Sequence, residues 1–519
     1  MGPLRQGIRY ARGLHRFLRD PVDAAAAPTT VRDEQRRRAD RFLASLEHLV
    51  WPIEDSPHRL LLDHAGLERA DVAQLVVREG LEGALEVLRD QGVRLSHDEA
   101  RGATPVRRGS LVFTVSPQDL VNPLHPPDLI AGTSGTTGPS TAVPMSFRSL
   151  RRMAVNLALT DAMWGVDGAP HALWRPGLPS SGGLIAALAG AAGGNAPMAW
   201  FSPTDPADPS IARRKRLANR MTPLLAALSG NPLPAPLHVP TYAPDAVLAW
   251  VRDAITQQGR AALNAYPSSA VALAVSASER SSALHGLVIR MVGEPVTPAK
   301  LDAVRASGAE AIDAYAFAQL GVAATSCREC APEELHLLEH EAAVIDRPGV
   351  RADGEAVRLL LWTSLSTDAR MVLLNTENDD HGSIGERHCD CLLGRAGMTR
   401  TIRQVRGVSR SVARGVTVCG DALVRLVEQD LPSRFGGHPL QWQLVETERD
   451  GQAVVTVRAD PRLGELDVDE IRQAVLDSLR QTDAGALAAG VWSTPGGLVV
   501  QRARPVTTAA GKTLPYHVI

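Results

Sequence analysis

The chain has 519 residues, which exceeds the size of one compact core and predicts two or three domains. Its 55 basic and 57 acidic residues leave a net charge of −2, so the global charge favours neither a nucleic-acid nor a membrane partner. The longest run of small apolar residues, 182–194, is too short to span a bilayer, and the N-terminus carries arginines throughout instead of an apolar signal core. We therefore expect a soluble cytoplasmic protein.

The first predicted region is helical and covers residues 1–105. Charged and apolar residues alternate there at helical spacing, for example in the segments 36–43 and 81–88. The composition does not assign this region a role.

A loop rich in glycine and hydroxyl groups follows at 131–141, directly after the apolar pair Leu129 and Ile130. It holds three glycines and six hydroxyl side chains in eleven residues. Glycines let a backbone approach phosphate oxygens, while amides and hydroxyls donate hydrogen bonds to them. The spacing is not that of a Walker loop. A flexible linker is the alternative, but linkers rarely follow an apolar, strand-like segment. The predicted phosphate-binding residues are Thr133, Ser134, Gly135, Thr136, Thr137 and Gly138.

Residues 106–406 are predicted to form a layered α/β domain. Apolar, strand-like runs such as 287–289 and 357–362 alternate with helical stretches such as 298–307. The character of the sequence changes after residue 407. Two strand-like runs, 440–445 and 453–457, flank an Asp-Gly turn, and a helical segment follows at 467–481. Residues 407–519 are therefore predicted as a small α+β domain.

The cysteines are clustered, which indicates a metal site more than a disulfide framework. Cys327 and Cys330 form one pair and Cys389 and Cys391 another, and two such pairs can close a tetrahedral zinc site. We interpret the site as structural. His336, His340 or His388 could replace one thiolate, and unmetallated thiols or a redox switch are the alternatives. Cys419 is predicted to be a lone thiol.

The loop at 131–141 closely resembles the Thr-Ser-Gly-Thr-Thr-Gly phosphate loop of the adenylate-forming superfamily of acyl-CoA synthetases, adenylation domains and luciferases. The resemblance covers about residues 105–519. The segment 291–297 is similar to the Gly-Gly-Glu-Pro-Leu-Thr element of the phenylacetate-CoA ligase and coenzyme F390 synthetase-like branch. This likeness implies a large layered N-terminal α/β domain and a small mobile C-terminal α+β domain. It also places Gly293 and Glu294 beside the nucleotide, although a plain strand-to-helix turn would look the same.

The segment 314–319 is similar to the family's Tyr-Gly-x-Thr-Glu motif, which implies that Tyr315 stacks on adenine. Ala318 and Gln319 replace the threonine that contacts phosphate and the glutamate that holds Mg²⁺. A neutral amide is a poorer ligand for a hard cation than a carboxylate. The metal is then held mainly by ATP and water, or adenylation is slow or lost. The alternative is a purely structural core strand.

Further along the chain, the resemblance implies that Asp380 binds the ribose hydroxyls, with Asp379 a close second. Both are also ordinary turn residues. It implies that Arg406 contacts ribose or phosphate, and that Arg414 and Gly415 lie on the loop used for thioester formation. Val408 and Ser409 replace the family's hinge acids, which leaves the hinge position open.

The segment 507–512 resembles the Thr-x-x-Gly-Lys motif that ends adenylating C-terminal domains, so Lys512 is the predicted catalytic residue. An ammonium group can offset the charge that develops when a carboxylate attacks the α-phosphate of ATP. The chain has only three lysines, Lys215, Lys300 and Lys512, and the phosphate loop ends in Thr141 where the family has lysine. An ordinary surface lysine is the alternative.

The resemblance implies an AMP-forming ligase that uses ATP and Mg²⁺ to activate a small carboxylic acid and then transfers the acyl group to a thiol, with CoA as the default acceptor. A carrier-protein thiol or an amine, as in an amide synthetase, would share the first step. The alternative that is not an enzyme is a scaffold that binds a nucleotide or acyl ligand without catalysis. The sequence leaves open whether the protein is a monomer or a homodimer.

Overall fold

We describe the protein from a computed structural model that covers residues 3–132, 142–351, 354–408, 420–449, 452–481, 483–494 and 496–519. The chain has a mixed α/β architecture with a large 12-stranded sheet and a smaller 4-stranded sheet near the C-terminus. Among the helices of these ranges, none has the length and apolar content needed to cross a bilayer.

The N-terminal part is helical. Its buried side chains, among them Phe17, Phe42 and Leu85, join the same hydrophobic core as the large sheet, so this region is packed onto the rest of the chain. The helices are α1 (Pro3–Arg19), α2 (Ala27–Arg36), α3 (Arg38–Leu49), α4 (Pro57–His64), α5 (Arg69–Asp90) and α6 (His97–Ala100).

Two antiparallel hairpins and a 3-10 turn (Pro117–Leu120) follow. The strands are β1 (Val106–Arg108), β2 (Leu111–Phe113), β3 (Leu129–Gly132) and β4 (Ala142–Met145). The predicted phosphate loop connects β3 to β4, so its six predicted binding residues, 133–138, lie outside the described residues.

The large sheet contains twelve strands in the order β13-β14-β15-β16-β12-β11-β10-β9-β8-β5-β6-β7. The strands are β5 (His171–Trp174), β6 (Ala199–Ser202), β7 (Leu237–His238), β8 (Ala261–Ala265), β9 (Leu287–Val292), β10 (Glu310–Phe317), β11 (Gly321–Thr325), β12 (Glu334–Leu337), β13 (Ala342–Val350), β14 (Ala356–Ser364), β15 (Thr376–Glu386) and β16 (Arg400–Gly407). Strands β5 to β10 pair in parallel, whereas β10 to β16 pair antiparallel. The parallel strands are short apolar runs, as expected for strands that are covered on both faces.

Helices cover both faces of the parallel half. On one face, α7 and α8 pack with the N-terminal helices, and on the other α10, α11 and α12 form a second core. The helices are α7 (Phe147–Trp164), α8 (Gly182–Ala192), α9 (Arg213–Leu228), α10 (Asp245–Gln258), α11 (Pro267–Glu279), α12 (Pro298–Ala306) and α13 (Leu392–Arg395). Helix α7 begins where the Ser146 hydroxyl accepts from the Ser149 amide and ends at Gly165, whose φ of 65° is left-handed.

The C-terminal part has its own sheet, in the order β19-β18-β17-β20, and its own core around Trp442, Val457 and Ile471. The predicted strands and helix of this part are confirmed. Its elements are α14 (Gly420–Arg425), a π-helix (Leu426–Asp430), α15 (Leu431–Phe435), 3-10 turns (Pro439–Gln441 and Pro461–Leu463), β17 (Trp442–Arg449), β18 (Gln452–Ala459), α16 (Val468–Leu479), α17 (Asp483–Trp492), β19 (Leu498–Arg502) and β20 (Tyr516–Val518).

Candidate functional site

A cavity of about 410 Å³ lies at the carboxyl ends of the parallel strands. This end of a parallel sheet is where α/β proteins bind ligands, and the volume suits a small molecule. Helices α7 and α8 form one wall, and the ends of β8, β9 and β10 form another. The lining includes Met153, Leu157, Ile185, Asn264, Tyr266, Gly293, Ala314, Val322, Glu341, Arg370 and Lys512.

Lys512 enters this cavity from the C-terminal part of the chain. The segment between β19 and β20 is held by Gln443, whose amide donates to the carbonyls of Val506 and Leu514, both at 2.9 Å. The Lys512 ammonium donates to the Gly293 carbonyl at 2.6 Å and lies 5.0 Å from the Tyr266 ring centre. The residue is only 4% exposed. The predicted catalytic lysine is therefore a buried cation on the cavity wall.

A buried ion pair fastens the C-terminal part in this position. The Lys300 ammonium, at the start of α12, lies 2.9 Å from a carboxylate oxygen of Glu428, and both side chains are almost fully buried. The Thr297 hydroxyl donates to the same carboxylate. Breaking one partner of such a pair leaves an uncompensated buried charge, so the contact favours the arrangement that places Lys512 at the cavity.

The predicted residues Gly293 and Glu294 lie in the turn after β9. Gly293 has a φ of 94°, which favours glycine, and supplies the carbonyl that Lys512 contacts. The Glu294 carboxylate accepts from the Ser268 amide at 3.0 Å and from the Ser268 hydroxyl at 2.8 Å. Glu294 thus stabilises the first turn of α11, which carries Tyr266 at its N-terminal end.

Tyr315 and Asp380 lie together although 65 residues separate them. The Tyr315 hydroxyl donates to the Asp380 carboxylate at 2.5 Å. The Asn378 amide donates to the Tyr315 oxygen at 2.6 Å and to the Asp380 carboxylate at 3.0 Å. The fold therefore joins the aromatic and the acid that the sequence assigns to adenine and ribose. Asp379, the second choice, has a φ of 69°.

Arg406 lies on β16 opposite His381, the neighbour of Asp380 on β15. Arg406 pairs with Glu333 beside a second hollow between β15, β16 and the C-terminal part. Gln319 is half-buried in the turn between β10 and β11. Arg414 and Gly415, predicted for the thioester-forming loop, lie outside the described residues.

Arginines in the cavity wall were missed by the sequence reasoning. Arg152, Arg175, Arg290 and Arg370 all line the cavity. Arg290 had a usable signal, because it interrupts the apolar run of β9. It is paired with Asp161 at 2.6 Å. Burial alone would raise the pKa of Asp161, but Arg290 and His171 lower that pKa to about 2.

Arg152 is neutralised in the same way. It contacts Glu34 at 2.7 Å and Glu341 at 2.9 Å. Burial opposes ionisation of Glu341, yet the Arg152 charge holds the pKa of Glu341 at about 2. This part of the wall is therefore a closed ion network.

Three of the four predicted zinc ligands form a cluster with His336. The His336 Nε2 atom lies 3.6 Å from the Cys327 sulfur, 3.4 Å from the Cys389 sulfur and 3.7 Å from the Cys391 sulfur. A tetrahedral zinc site has edges of about 3.6 Å between nitrogen and sulfur and about 3.8 Å between sulfurs. The Cys327 and Cys389 sulfurs are 3.9 Å apart, so the donor set fits a zinc ion.

Cys330, the fourth predicted ligand, lies outside that four-residue group. Its sulfur is 3.5 Å from the Cys327 sulfur and accepts from the Cys327 amide at 3.3 Å. Hydrogen bonding with the Cys330 thiol lowers the pKa of Cys327, and contact with Cys327 raises the pKa of Cys330. The geometry therefore gives the fourth position to His336, one of the alternatives that the sequence left open.

Among the described residues, the cavity lining does not supply a ready-made set of carboxylate ligands for a magnesium ion, so such an ion would be held mainly by the ATP phosphates and water. Within the described ranges, the only group of three or more His, Cys, Asp or Glu donors is the cysteine cluster. The cavity acid Glu341 is bound to Arg152, and Asp368 contacts His125 at 2.8 Å and Arg148 at 3.7 Å.

No protein-family profile and no curated protein matches the sequence. Solved structures with similarity include 2-hydroxyisobutyryl-CoA ligase in complex with 2-HIB-AMP and CoA, with 14% identity, coverage of 96% of this chain and 91% of that chain, and a TM-score of 0.41. ATP-bound MatB from Rhodopseudomonas palustris has 12% identity, coverage of 78% and 68%, and a TM-score of 0.46. O-succinylbenzoate Coenzyme A synthetase (MenE) from Bacillus subtilis, with ATP and magnesium, has 12% identity, coverage of 75% and 69%, and a TM-score of 0.43. Scores below 0.5 at such identities support no functional conclusion, so the proposals below rest on the residues of this chain.

Proposed function

We propose that the protein is an adenylate-forming ligase of the phenylacetate-CoA ligase-like kind, which activates a carboxylic acid with ATP and transfers the acyl group to a thiol, with CoA as the default acceptor. The observation that carries the proposal is Lys512. One of only three lysines, it is buried at a cavity wall and contacts Gly293, 219 residues away. Burial of an ammonium group is costly, and the equally buried Lys300 is paired with Glu428, whereas the Lys512 ammonium lines the cavity.

The residues suggest a division of labour. The acid carboxylate attacks the α-phosphorus of ATP, pyrophosphate leaves, and an acyl-adenylate forms. Lys512 and Arg175 place positive charge at this point, where two anions must meet. Tyr315 and Asp380, already joined by a hydrogen bond, are proposed to hold adenine and ribose. A thiol then attacks the acyl carbon, and AMP leaves.

The proposed domains are those suggested by the sequence: 1–105, 106–406 and 407–519. The buried Lys300 and Glu428 pair fastens the third to the second in the pose that presents Lys512. Rotation of the C-terminal domain about a hinge after Arg406 would withdraw Lys512 and bring Arg414 and Gly415 to the cavity for thioester formation. Zinc at Cys327, His336, Cys389 and Cys391 is proposed as structural, because four protein ligands leave no open position.

The test is pyrophosphate release against a panel of aryl and aliphatic acids, with Lys512→Ala as the variant and Lys215→Ala, on helix α9, as the control. We expect acid-dependent turnover that falls about 100-fold or more in Lys512→Ala and is unchanged in Lys215→Ala, because the removed cation acts in the transition state. Turnover that survives in Lys512→Ala would contradict the assignment.

A non-catalytic nucleotide-binding scaffold is the second candidate. Ala318 and Gln319 favour it, since neither supplies the hydroxyl or the carboxylate that the resembling motif uses. Binding of ATP without pyrophosphate release for any acid in the panel would select this candidate.

A further inference from the structure

Among the described residues, Arg370 is a buried cation of the cavity wall that forms no ion pair. It lies in the segment between β14 and β15 and is only 8% exposed. Its guanidinium donates to the Ala318 carbonyl at 3.1 Å and contacts the Met153 sulfur. The Nε atom is buried and has no hydrogen-bond partner among the described residues. A carbonyl and a thioether leave most of its donor capacity unused, and Glu341 acts on its charge only from beyond ion-pair distance.

Two other buried arginines of the cavity wall have the carboxylate partners that Arg370 does not have among the described residues. Arg290 faces Asp161, and Arg152 faces Glu34 and Glu341. In the described part of the chain, no carboxylate oxygen lies within 4.0 Å of Arg370 or Arg175. Asp368, two residues away, is directed to His125 and Arg148 instead.

Arg175 is compensated in another way. Its guanidinium lies over the Tyr266 ring at 4.3 Å and donates to the Val292 carbonyl at 2.7 Å. Lys512 contacts the same Tyr266 ring. Arg175 therefore lies where the phosphate of ATP and the reacting carboxylate are proposed to meet. Arg370 contacts a different part of the wall, formed by α7 and the turn after β10.

The backbone leaves room for the Arg370 side chain. Gly321 has a φ of 102°, and a Cβ atom there would lie 2.9 Å from the Arg370 guanidinium. Burial lowers the pKa of Arg370 to about 10, so the side chain remains charged at neutral pH. A negative partner would stabilise a buried guanidinium that keeps its charge, and Arg370 lines the cavity from which such a partner can approach.

We propose that Arg370 binds a second anionic group on the acid substrate, so that the preferred substrate is a dianion such as a dicarboxylic acid. One carboxylate would react near Lys512, and the other would accept hydrogen bonds from the Arg370 guanidinium. Apolar lining residues such as Leu157, Ile185 and Val322 suit a hydrocarbon spacer. This inference rests on the proposed function, because it assigns the substrate of the same cavity.

The test measures binding, without turnover, by calorimetry of the full chain with matched acids. Each terminal dicarboxylate of four to eight carbons, such as adipate, is compared with the monocarboxylate of equal length, such as hexanoate. We expect at least one dicarboxylate to bind the wild type about tenfold or more tightly than its partner, because guanidinium and carboxylate form paired hydrogen bonds. Arg370→Met should abolish this preference, and Arg370→Lys should retain part of it.

Arg151→Met is the matched control, since Arg151 lies on α7 but pairs with Asp20 at 3.0 Å. It should leave the preference unchanged. Arg370→Met should melt no lower than the wild type, because it removes a buried charge without a partner; a lower melting temperature would point to a structural arginine and overturn the inference. The wild-type comparison stands even where a variant does not fold.

Two results would overturn the inference while leaving the proposed function intact. One is equal affinity of the wild type for every matched pair of acids. The other is a loss of ATP affinity in Arg370→Met with unchanged acid preference, which would make Arg370 a ligand of the ATP phosphates. A dicarboxylate preference that depends on Arg370 without any pyrophosphate release would support the binding site and count against adenylation.

Discussion

At the residue scale, the contact between Tyr315 and Asp380 is the feature of the nucleotide proposal that is easiest to isolate. Three side chains share it, and the Asn378 amide donates to both oxygens. The Tyr315 hydroxyl fixes the position of the Asp380 carboxylate through a hydrogen bond. Tyr315→Phe removes that hydrogen bond and keeps the aromatic ring.

We expect Tyr315→Phe to weaken ATP binding about fivefold, which corresponds to about 1 kcal/mol for one hydrogen bond. Titration of ATP by calorimetry measures the change. Tyr242→Phe is the control, because Tyr242 is an exposed tyrosine. Equal ATP affinity in the wild type and Tyr315→Phe would show that this hydroxyl does not order the nucleotide site.

At the element scale, the cysteine cluster joins two connections of the large sheet. Cys327 follows β11, His336 lies on β12, and Cys389 and Cys391 lie between β15 and β16. A metal ion there would link the neighbouring interior strands β11, β12 and β16 of the antiparallel half.

We expect about one zinc ion per chain in protein purified without chelator. The double variant Cys389→Ser and Cys391→Ser should lose the metal and at least about 3 kcal/mol of unfolding free energy, because metal binding contributes directly to folding. Metal analysis and thermal melting measure both. Since Cys330 lies outside the group, Cys330→Ser should keep its zinc whereas His336→Ala should not. Zinc loss in Cys330→Ser with retention in His336→Ala would restore the four-cysteine site.

At the scale of the whole molecule, two buried histidines make stability depend on pH. Burial lowers the pKa of His58 from 6.5 to about 4, and the same cause lowers the pKa of His340 to about 4. His58 contacts the Val372 carbonyl, and His340 contacts the Asn156 amide oxygen. Both folded-state pKa values lie below the unfolded value, so the unfolded state takes up protons first as the pH falls.

The contribution of these histidines to the free energy of unfolding should therefore be fully present above pH 6.5 and decrease as the pH falls towards 4, by on the order of 3 kcal/mol for each histidine. His58→Gln should reduce the slope in this window, while exposed His285→Gln should not. Urea denaturation at a series of pH values checks the prediction. A slope that is identical in the wild type and His58→Gln would contradict a neutral buried His58.

The local sequence pattern was enough to predict an element when its signal lies within a few consecutive residues. Periodicity and turn residues predicted several elements that the structure contains. They are the apolar strands β9 and β14, the helix α12 after Thr297, and the strands β17 and β18 on either side of Asp450 and Gly451. The cysteine pairs indicated a cluster for the same reason, because ligand spacing is a local property.

Contacts between residues that are far apart in the sequence could not be predicted from local patterns. Three features depend on which elements pack together. They are the place of His336 instead of Cys330 in the cysteine cluster, the burial of Arg370, and the ion pair between Lys300 and Glu428. Arg370 follows the polar segment 366–368 and precedes the apolar run 371–374, so its position at the boundary does not by itself mark the side chain as buried.

The sequence by itself determined the layered α/β character, the separate C-terminal strands, the cysteine cluster and the singular position of Lys512, because each depends on composition or on spacing within a few residues. Only the tertiary structure decided that Lys512 meets Gly293, that Tyr315 meets Asp380 and that Arg370 lines a cavity whose two acids, Glu341 and Asp368, pair with other residues. The physical reason is that the burial and pairing of a charge are properties of the groups that packing brings around it, and those groups come from distant parts of the chain.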